Sequence, residues 1–287
     1  MLIKEFFCTC EGKVFPVGHY ESGECRRPPM ALPFILGAID KQVGDLVHAD
    51  NKMSASRLTH CFRKMAIEDN VSCRVDVRDL DSLTKGIALH EFCEKYTPEW
   101  MLSEYELPQA GKPKPLLFEG TESEIEIRGR IDVLSKISMV LEDYKTTSEW
   151  SQKKRFERSA ATLEWNIAAS VYRILLKKCE GIDVSKAVIW STAQVSRASK
   201  APGWIEIPIV FMNEREILNA RPLDGDFSVR DIIAEWKKFV ARLVQEGDVM
   251  AAVRAVPLMG QTTRVFKECS YCTVKFDCDR IAGNVQW

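Results

Sequence analysis

Asp143 and Lys145 lie two residues apart in the run E-D-Y-K-T (142–146), which puts a carboxylate and an amine on one side of an extended chain, because alternate side chains of a strand share a face. Asp132 sits on the polar side of the preceding alternating run and adds a second carboxylate once the two runs fold back as a hairpin. Two hard oxygen donors with little else beside them suit Mg2+ or Mn2+, ions that keep waters and bind substrate phosphate. A lysine beside such a centre orients and helps deprotonate a water, or stabilises charge developing on phosphate. The chemistry this set serves best is phosphodiester hydrolysis. Spacing alone also admits a salt-bridged, solvent-facing strand.

Sulfur is the second chemical feature. Ten cysteines among 287 residues are too sparse for a disulfide scaffold, so they point to metal binding or chemistry. Cys269, Cys272 and Cys278 form C-x2-C-x5-C near the C-terminus, and Cys61 is a candidate fourth thiolate far upstream. Four thiolates hold zinc or an iron–sulfur cluster, and spacing leaves the choice open. Either would clip an early helix to the C-terminal region and couple metal binding to folding. Cys8, Cys10, His19 and Cys25 form C-x-C-x8-H-x5-C, a candidate small zinc site, with incidental thiols as the alternative. Cys73, Cys93 and Cys179 read as buried or incidental thiols.

These groups need a scaffold to hold them. Residues 1–50 are rich in Pro and Gly and read as an irregular N-terminal extension, with a short helix over 34–48. Ser54 or Ser56 can cap a helix carrying Leu58, Cys61, Phe62, Met65 and Ala66. A second helix is predicted from about Leu83 to Tyr96, with Leu89, Phe92, Cys93 and Tyr96 on one face and Pro98 beyond its end. Residues 107–118 carry three prolines and read as a loop. In S-E-I-E-I-R-G-R-I-D-V-L-S, Ile125, Ile127, Ile131 and Val133 face one way and Glu124, Glu126, Arg130 and Asp132 the other; a turn near Lys136 then leads into M-V-L-E-D-Y-K. A helix over 159–179 with Leu163, Ile167, Val171, Ile174 and Leu175 inward, strands over 186–195 and 204–211, and a helix over 228–246 with Ile232, Trp236, Phe239 and Leu243 inward complete a mixed α/β (α+β) domain over 51–287.

Composition narrows the function classes. The 40 Lys+Arg and 41 Asp+Glu give a net charge of −1, which argues against coating nucleic acid along the whole surface but leaves room for a local basic groove. No apolar run is long enough to span a membrane, and the N-terminal M-L-I-K-E-F-F-C-T-C-E-G-K lacks a signal-peptide pattern, so a cytoplasmic location with no membrane partner is expected. There is no GxxxxGK[ST] loop, so a nucleotide-driven motor would be another chain. Lys153, Lys154, Arg155 and Arg158 follow the Asp–Lys run and, with Arg57, Arg63 and Lys64, are candidate phosphate contacts. Trp150 and Phe156 are placed to stack on unpaired bases, which favours single-stranded DNA.

G-R-I-D (129–132) followed by E-D-Y-K-T, with G-I-A-L-H-E (86–91) and S-A-S-R-L-T-H-C-F-R-K-M (54–65) upstream in the same order, resembles the PD-(D/E)xK nuclease superfamily, specifically its RecB-like branch. The resemblance runs roughly over 51–280 and implies a restriction-endonuclease-like core. It implies that His90, Asp132 and Asp143, with the Tyr144 carbonyl, bind Mg2+ or Mn2+ and that Lys145 assists catalysis. One early and three late cysteines around such a core resemble the iron–sulfur nucleases, the AddB-type nuclease domain and the CRISPR-associated RecB-like exonuclease family, which implies a 4Fe–4S cluster on Cys61, Cys269, Cys272 and Cys278. The implied activity is a metal-dependent DNA exonuclease on single-stranded ends, with 5′→3′ direction favoured. A helicase, recombinase or CRISPR integrase partner and a homo-oligomer are compatible with it, and the pathways it implies are recombination or repair, phage replication or CRISPR adaptation in antiviral defence. The competing reading is a nuclease-fold subunit that binds DNA ends without cutting. The sequence departs from the branch at its substrate-positioning Q-x-x-x-Y motif: Tyr172, a candidate DNA contact, is present, Ala168 stands where glutamine is usual, and Glu164 or Asn166 is the candidate substitute.

Overall fold

The structure is a computed structural model and describes residues 2–8, 13–16, 52–76, 80–193, 202–222, 227–256, 272, 277–278 and 281. The helix expected over 34–48 lies outside the described residues. Within 1–50 the backbone is not irregular throughout. Strands β1 (Leu2–Cys8) and β2 (Lys13–Pro16) pair antiparallel, and β1 pairs in parallel with β4 (Ser72–Asp76). The Pro and Gly content that suggested a loose arm is concentrated after this hairpin.

The larger sheet is organised around β7 (Ile125–Ser135). Ile125, Ile127, Ile131 and Val133 are buried, as the alternation predicts, because one face of the strand lies on the core. The first residues of β7 pair in parallel with β3 (Lys52–Ser54) and antiparallel with β6 (Leu116–Leu117). Its later residues pair antiparallel with β5 (Met101–Leu107) on one edge and β8 (Val140–Thr146) on the other. From β8 the chain crosses through helices and returns as β9 (Lys186–Thr192), parallel to β8; β10 (Trp204–Pro208) closes that side antiparallel to β9.

The opening helix is interrupted. A 3-10 turn over Ala55–Thr59 precedes α1 (Phe62–Asn70), with Cys61 at the junction. α2 (Leu80–Tyr96) ends before Pro98, as expected. Its face of Leu89, Phe92, Cys93 and Tyr96 does not face the core: Phe92 is 63% and Tyr96 62% exposed, and their rings meet at 4.8 Å with planes 48° apart. α3 (Glu149–Arg158) is not among the expected helices; the helix predicted over 159–179 is α4 (Leu163–Leu175), continued by a π-helical turn over Leu176–Glu180. Ser148 and Thr162 cap the two helices through their side chains, and Ser159 ends α3 at φ 46°. Ile167, Val171 and Leu175 of α4 are buried, Ile174 is half-buried and Leu163 is exposed.

α5 (Glu214–Asn219), α6 (Val229–Glu246) and α7 (Val249–Ala255) follow. Ser228 and Asp231 form a capping box on α6, whose Ile232, Trp236 and Phe239 join the main core with Leu58, Phe62 and Met65. A mixed central sheet flanked by helices is the arrangement expected from the order of elements.

Candidate metal centre and active site

The β7–β8 hairpin positions the acidic pair. Its ladder runs through Leu134↔Leu141 and Val133↔Glu142. The next step of the same register brings Asp132 opposite Asp143, and there the ladder stops. In place of a backbone acceptor, the Asp132 carboxylate Oδ2 accepts the Tyr144 amide at 2.7 Å. Lys145, one alternation beyond Asp143, folds its ammonium back to 2.5 Å from Asp143 Oδ2. The three residues expected to act together are therefore together.

α2 brings the histidine. Gly86, one turn before His90, faces Thr146 of β8, where an added Cβ would meet the Thr146 hydroxyl oxygen at an ordinary 3.8 Å. His90 Nδ1 stands 3.5 Å from Asp132 Oδ1 and 3.0 Å from Glu104 Oε1. Glu104 is the site residue that the motifs do not name. On β5 the pairs Ser103↔Val133 and Tyr105↔Ile131 place it opposite Asp132, and it adopts φ 47°. A non-glycine residue keeps such a backbone only where its surroundings hold it. Its one sequence signal is a polar residue in an alternating run, which does not set it apart from Glu106.

His90, Glu104 and Asp132 each offer a ligand atom within 4.8 Å of the others. Burial first, and then the neighbouring Asp143, push the Asp132 carboxyl up to about 7, against the lowering effects of Lys145, His90 and the Tyr144 amide. Two largely buried carboxylates beside an imidazole form a donor set that a divalent cation would satisfy. The residues present therefore fit Mg2+ or Mn2+. Burial works against the charge of Lys145, yet Asp143 and Asp132 outweigh it and hold the ammonium above the ordinary lysine range.

Tyr172 of α4 packs under this centre, against Gly129 of β7. Ala168 at the position of the missing glutamine has no polar group, and Asn166 does not replace it: its Oδ1 accepts the Val210 amide at 3.0 Å and so holds the segment after β10. Glu164 lies near Arg155.

The candidate phosphate contacts separate. Lys153 and Arg158 are exposed on α3, and Lys154 lies 4.0 Å over the ring of Trp150, itself 62% exposed. Arg155 turns inward over Trp165, with its Nε buried and without a hydrogen bond. Arg57 is committed to Asp69 through two hydrogen bonds, Arg63 is buried, and Lys64 pairs with Glu68 at 3.7 Å. Among these candidates, Arg57, Arg63 and Arg155 are engaged within the fold, whereas Lys153 and Arg158 are exposed.

Cys61, Cys272 and Cys278 are half-buried and pack against the main core. Cys269, Cys10, His19 and Cys25 lie outside the described residues, and of Cys8 only the backbone, in β1, is described. Among the described residues no helix is long and apolar enough to cross a membrane.

A search of curated proteins finds no match. Among solved structures, the chain is similar to SSO0001, at 14% identity over 90% of this chain and 98% of that one, with a TM-score of 0.49. It is also similar to an alkaline exonuclease, LHK-Exo, from Laribacter hongkongensis, at 11% identity over 69% of this chain and 93% of that one, with a TM-score of 0.40. The same exonuclease in complex with dAMP gives 0.39. The family model for the PD-(D/E)XK nuclease superfamily matches residues 35–279, which include the Asp132, Asp143 and Lys145 set and His90. The chain belongs to the PD-(D/E)XK nuclease superfamily.

Proposed function

We propose that this chain is a divalent-metal-dependent DNA exonuclease of the RecB-like iron–sulfur type, acting on single-stranded ends with 5′→3′ direction, with residues 51–287 as the nuclease domain. The observation that carries the reading is the convergence of His90 and Asp132 with the Asp143–Lys145 ion pair where the β7–β8 ladder opens. His90, Asp132 and Asp143, with the Tyr144 carbonyl, are the residues that would hold Mg2+ or Mn2+. The ion supplies a Lewis acid for the phosphate and acidifies the attacking water. Lys145, kept as an ammonium, orients that water and stabilises the charge that builds on the phosphate oxygens. Tyr172, packed beneath, fixes the position of β7. The exposed Trp150, carrying Lys154 on its ring, offers a surface on which an unpaired base can stack beside a phosphate contact.

Cys61, Cys269, Cys272 and Cys278 hold a 4Fe–4S cluster in this reading. The support is that the three described members pack on one core although Cys61 is far from the other two in sequence.

The test of the activity is cleavage of end-labelled single-stranded DNA with Mn2+ by the wild type beside Asp143→Ala and Lys145→Ala. Each variant is expected to lose at least about 100-fold in rate, as for removal of a group that acts on the transition state. Equal, negligible turnover in all three, with DNA still bound, would instead establish an end-binding subunit without catalysis.

A further inference from the structure

Glu104 connects the candidate metal centre to Arg130, the one residue of G-R-I-D whose charge has no role so far. Its Oε1 faces His90 Nδ1 at 3.0 Å, while its Oε2 lies 2.8 Å from Nε of Arg130. Arg130 stands two residues before Asp132 on β7 and so projects from the same face. Its side chain is 64% exposed, and among the described residues the Glu104 carboxylate is its one ion-pair partner.

An exposed arginine beside a carboxylate is most often a surface ion pair of little energetic weight. Three observations set this pair apart. Glu104 is largely buried and shared with the histidine of the centre. It keeps a left-handed φ of 47° inside a strand. Arg130 lies past the last pair of the β7–β8 ladder, with its side chain exposed to solvent. Lys145 cannot take the same place, because Asp143 holds its ammonium.

We propose that Arg130 binds a non-bridging oxygen of the DNA backbone at the rim of the metal centre, and that Glu104 is the positioning residue that aims it. A planar guanidinium anchored at Nε presents its remaining donors as a fork that matches two phosphate oxygens, which an ammonium does not. The proposal rests on the nuclease reading given above.

The experiment combines steady-state cleavage of end-labelled single-stranded DNA in Mn2+ with equilibrium binding of the same strand in EDTA across a salt series. Arg130→Ala is expected to raise KM and lower kcat/KM by roughly 10- to 100-fold, with no change in melting temperature. It flattens the slope of log K against log salt by about 0.7, the value for one phosphate contact on a single strand. Arg130→Lys restores the slope but not the full kcat/KM. Glu104→Gln weakens binding in the wild-type background and adds nothing in the Arg130→Ala background, the coupling expected of a positioning residue. Wild-type turnover with an unchanged slope and kcat/KM in Arg130→Ala overturns the role of Arg130 and leaves the nuclease reading in place. Absence of wild-type turnover sinks the nuclease reading instead, and the salt slope still decides whether Arg130 contacts phosphate.

Discussion

Gly129 opens the G-R-I-D run because of space. A Cβ there would lie 2.5 Å from Cε1 of Tyr172, closer than a carbon pair tolerates. The ring fills that space beneath the acidic pair, and burial first, then Asp143 and Asp132, push its phenol well above the ordinary tyrosine range, so it stays neutral. Gly129→Ala is expected to lower unfolding stability by about 1–3 kcal/mol in urea, the cost of forcing extra volume into a packed site. Combined with Tyr172→Ala, which vacates the space, the two costs should sum to less than their separate values. Strict additivity would mean that the two groups do not meet. Glycine and tyrosine were each visible in the motifs, but their contact was not, since it joins β7 to a helix across the whole β8 excursion.

α3 shows how an element is fixed by one buried side chain. Gln152 is fully buried; its Oε1 accepts from the Thr147 and Ser191 hydroxyls at 3.0 and 2.6 Å, and its Nε2 donates to the Ser191 carbonyl at 2.8 Å. The amide therefore ties the start of α3 to β9 at the level of the active-site strand. Gln152→Leu would leave those groups unpaired in the interior, a loss of about 1–3 kcal/mol, and would loosen the helix that carries Trp150 and Lys154. A shift in denaturation midpoint corresponding to less than about 0.5 kcal/mol, within the scatter of surface substitutions, would show that water replaces the amide without cost. Composition could not anticipate this helix, because K-K-R-F-E-R resembles a solvated run until the Ser148 cap and the buried glutamine are seen together. The exposed face of α2 was hidden for the same reason. Leu89, Phe92, Cys93 and Tyr96 are a sound amphipathic stripe, but periodicity does not say which neighbour covers a face.

Across the molecule, cysteines from early and late in the chain pack against the main core. Cys61 precedes α1, and Cys272 and Cys278 return to the same core late in the chain. A cluster here would close a loop of about 200 residues, which for a covalent cross-link is worth about 5 kcal/mol of chain entropy. Anaerobically purified protein is expected to contain iron and acid-labile sulfide and to absorb in the visible. Cys61→Ala and Cys272→Ala should each lose that absorbance and melt at a lower temperature. Colourless wild-type protein containing zinc would reject the cluster while leaving the clip, and unchanged colour and melting in both variants would reject these ligands.

The D-x-K pair, the acidic residue before it, the preceding histidine and the mixed α/β order were legible as a line of residue types, because strand alternation and helix spacing are local properties that short segments already display. That was enough to single out Asp132, Asp143 and Lys145, whereas His90 was named by the resemblance of G-I-A-L-H-E to the nuclease motif. What remained hidden was whatever depends on strand register and on which surfaces meet: Glu104 opposite Asp132, Arg130 held at the rim, Arg57 claimed by Asp69, and Arg155 turned onto Trp165. Register and facing are set by pairings between segments separated by loops, whose closure depends on the packing of the entire core, and no window of sequence contains that information.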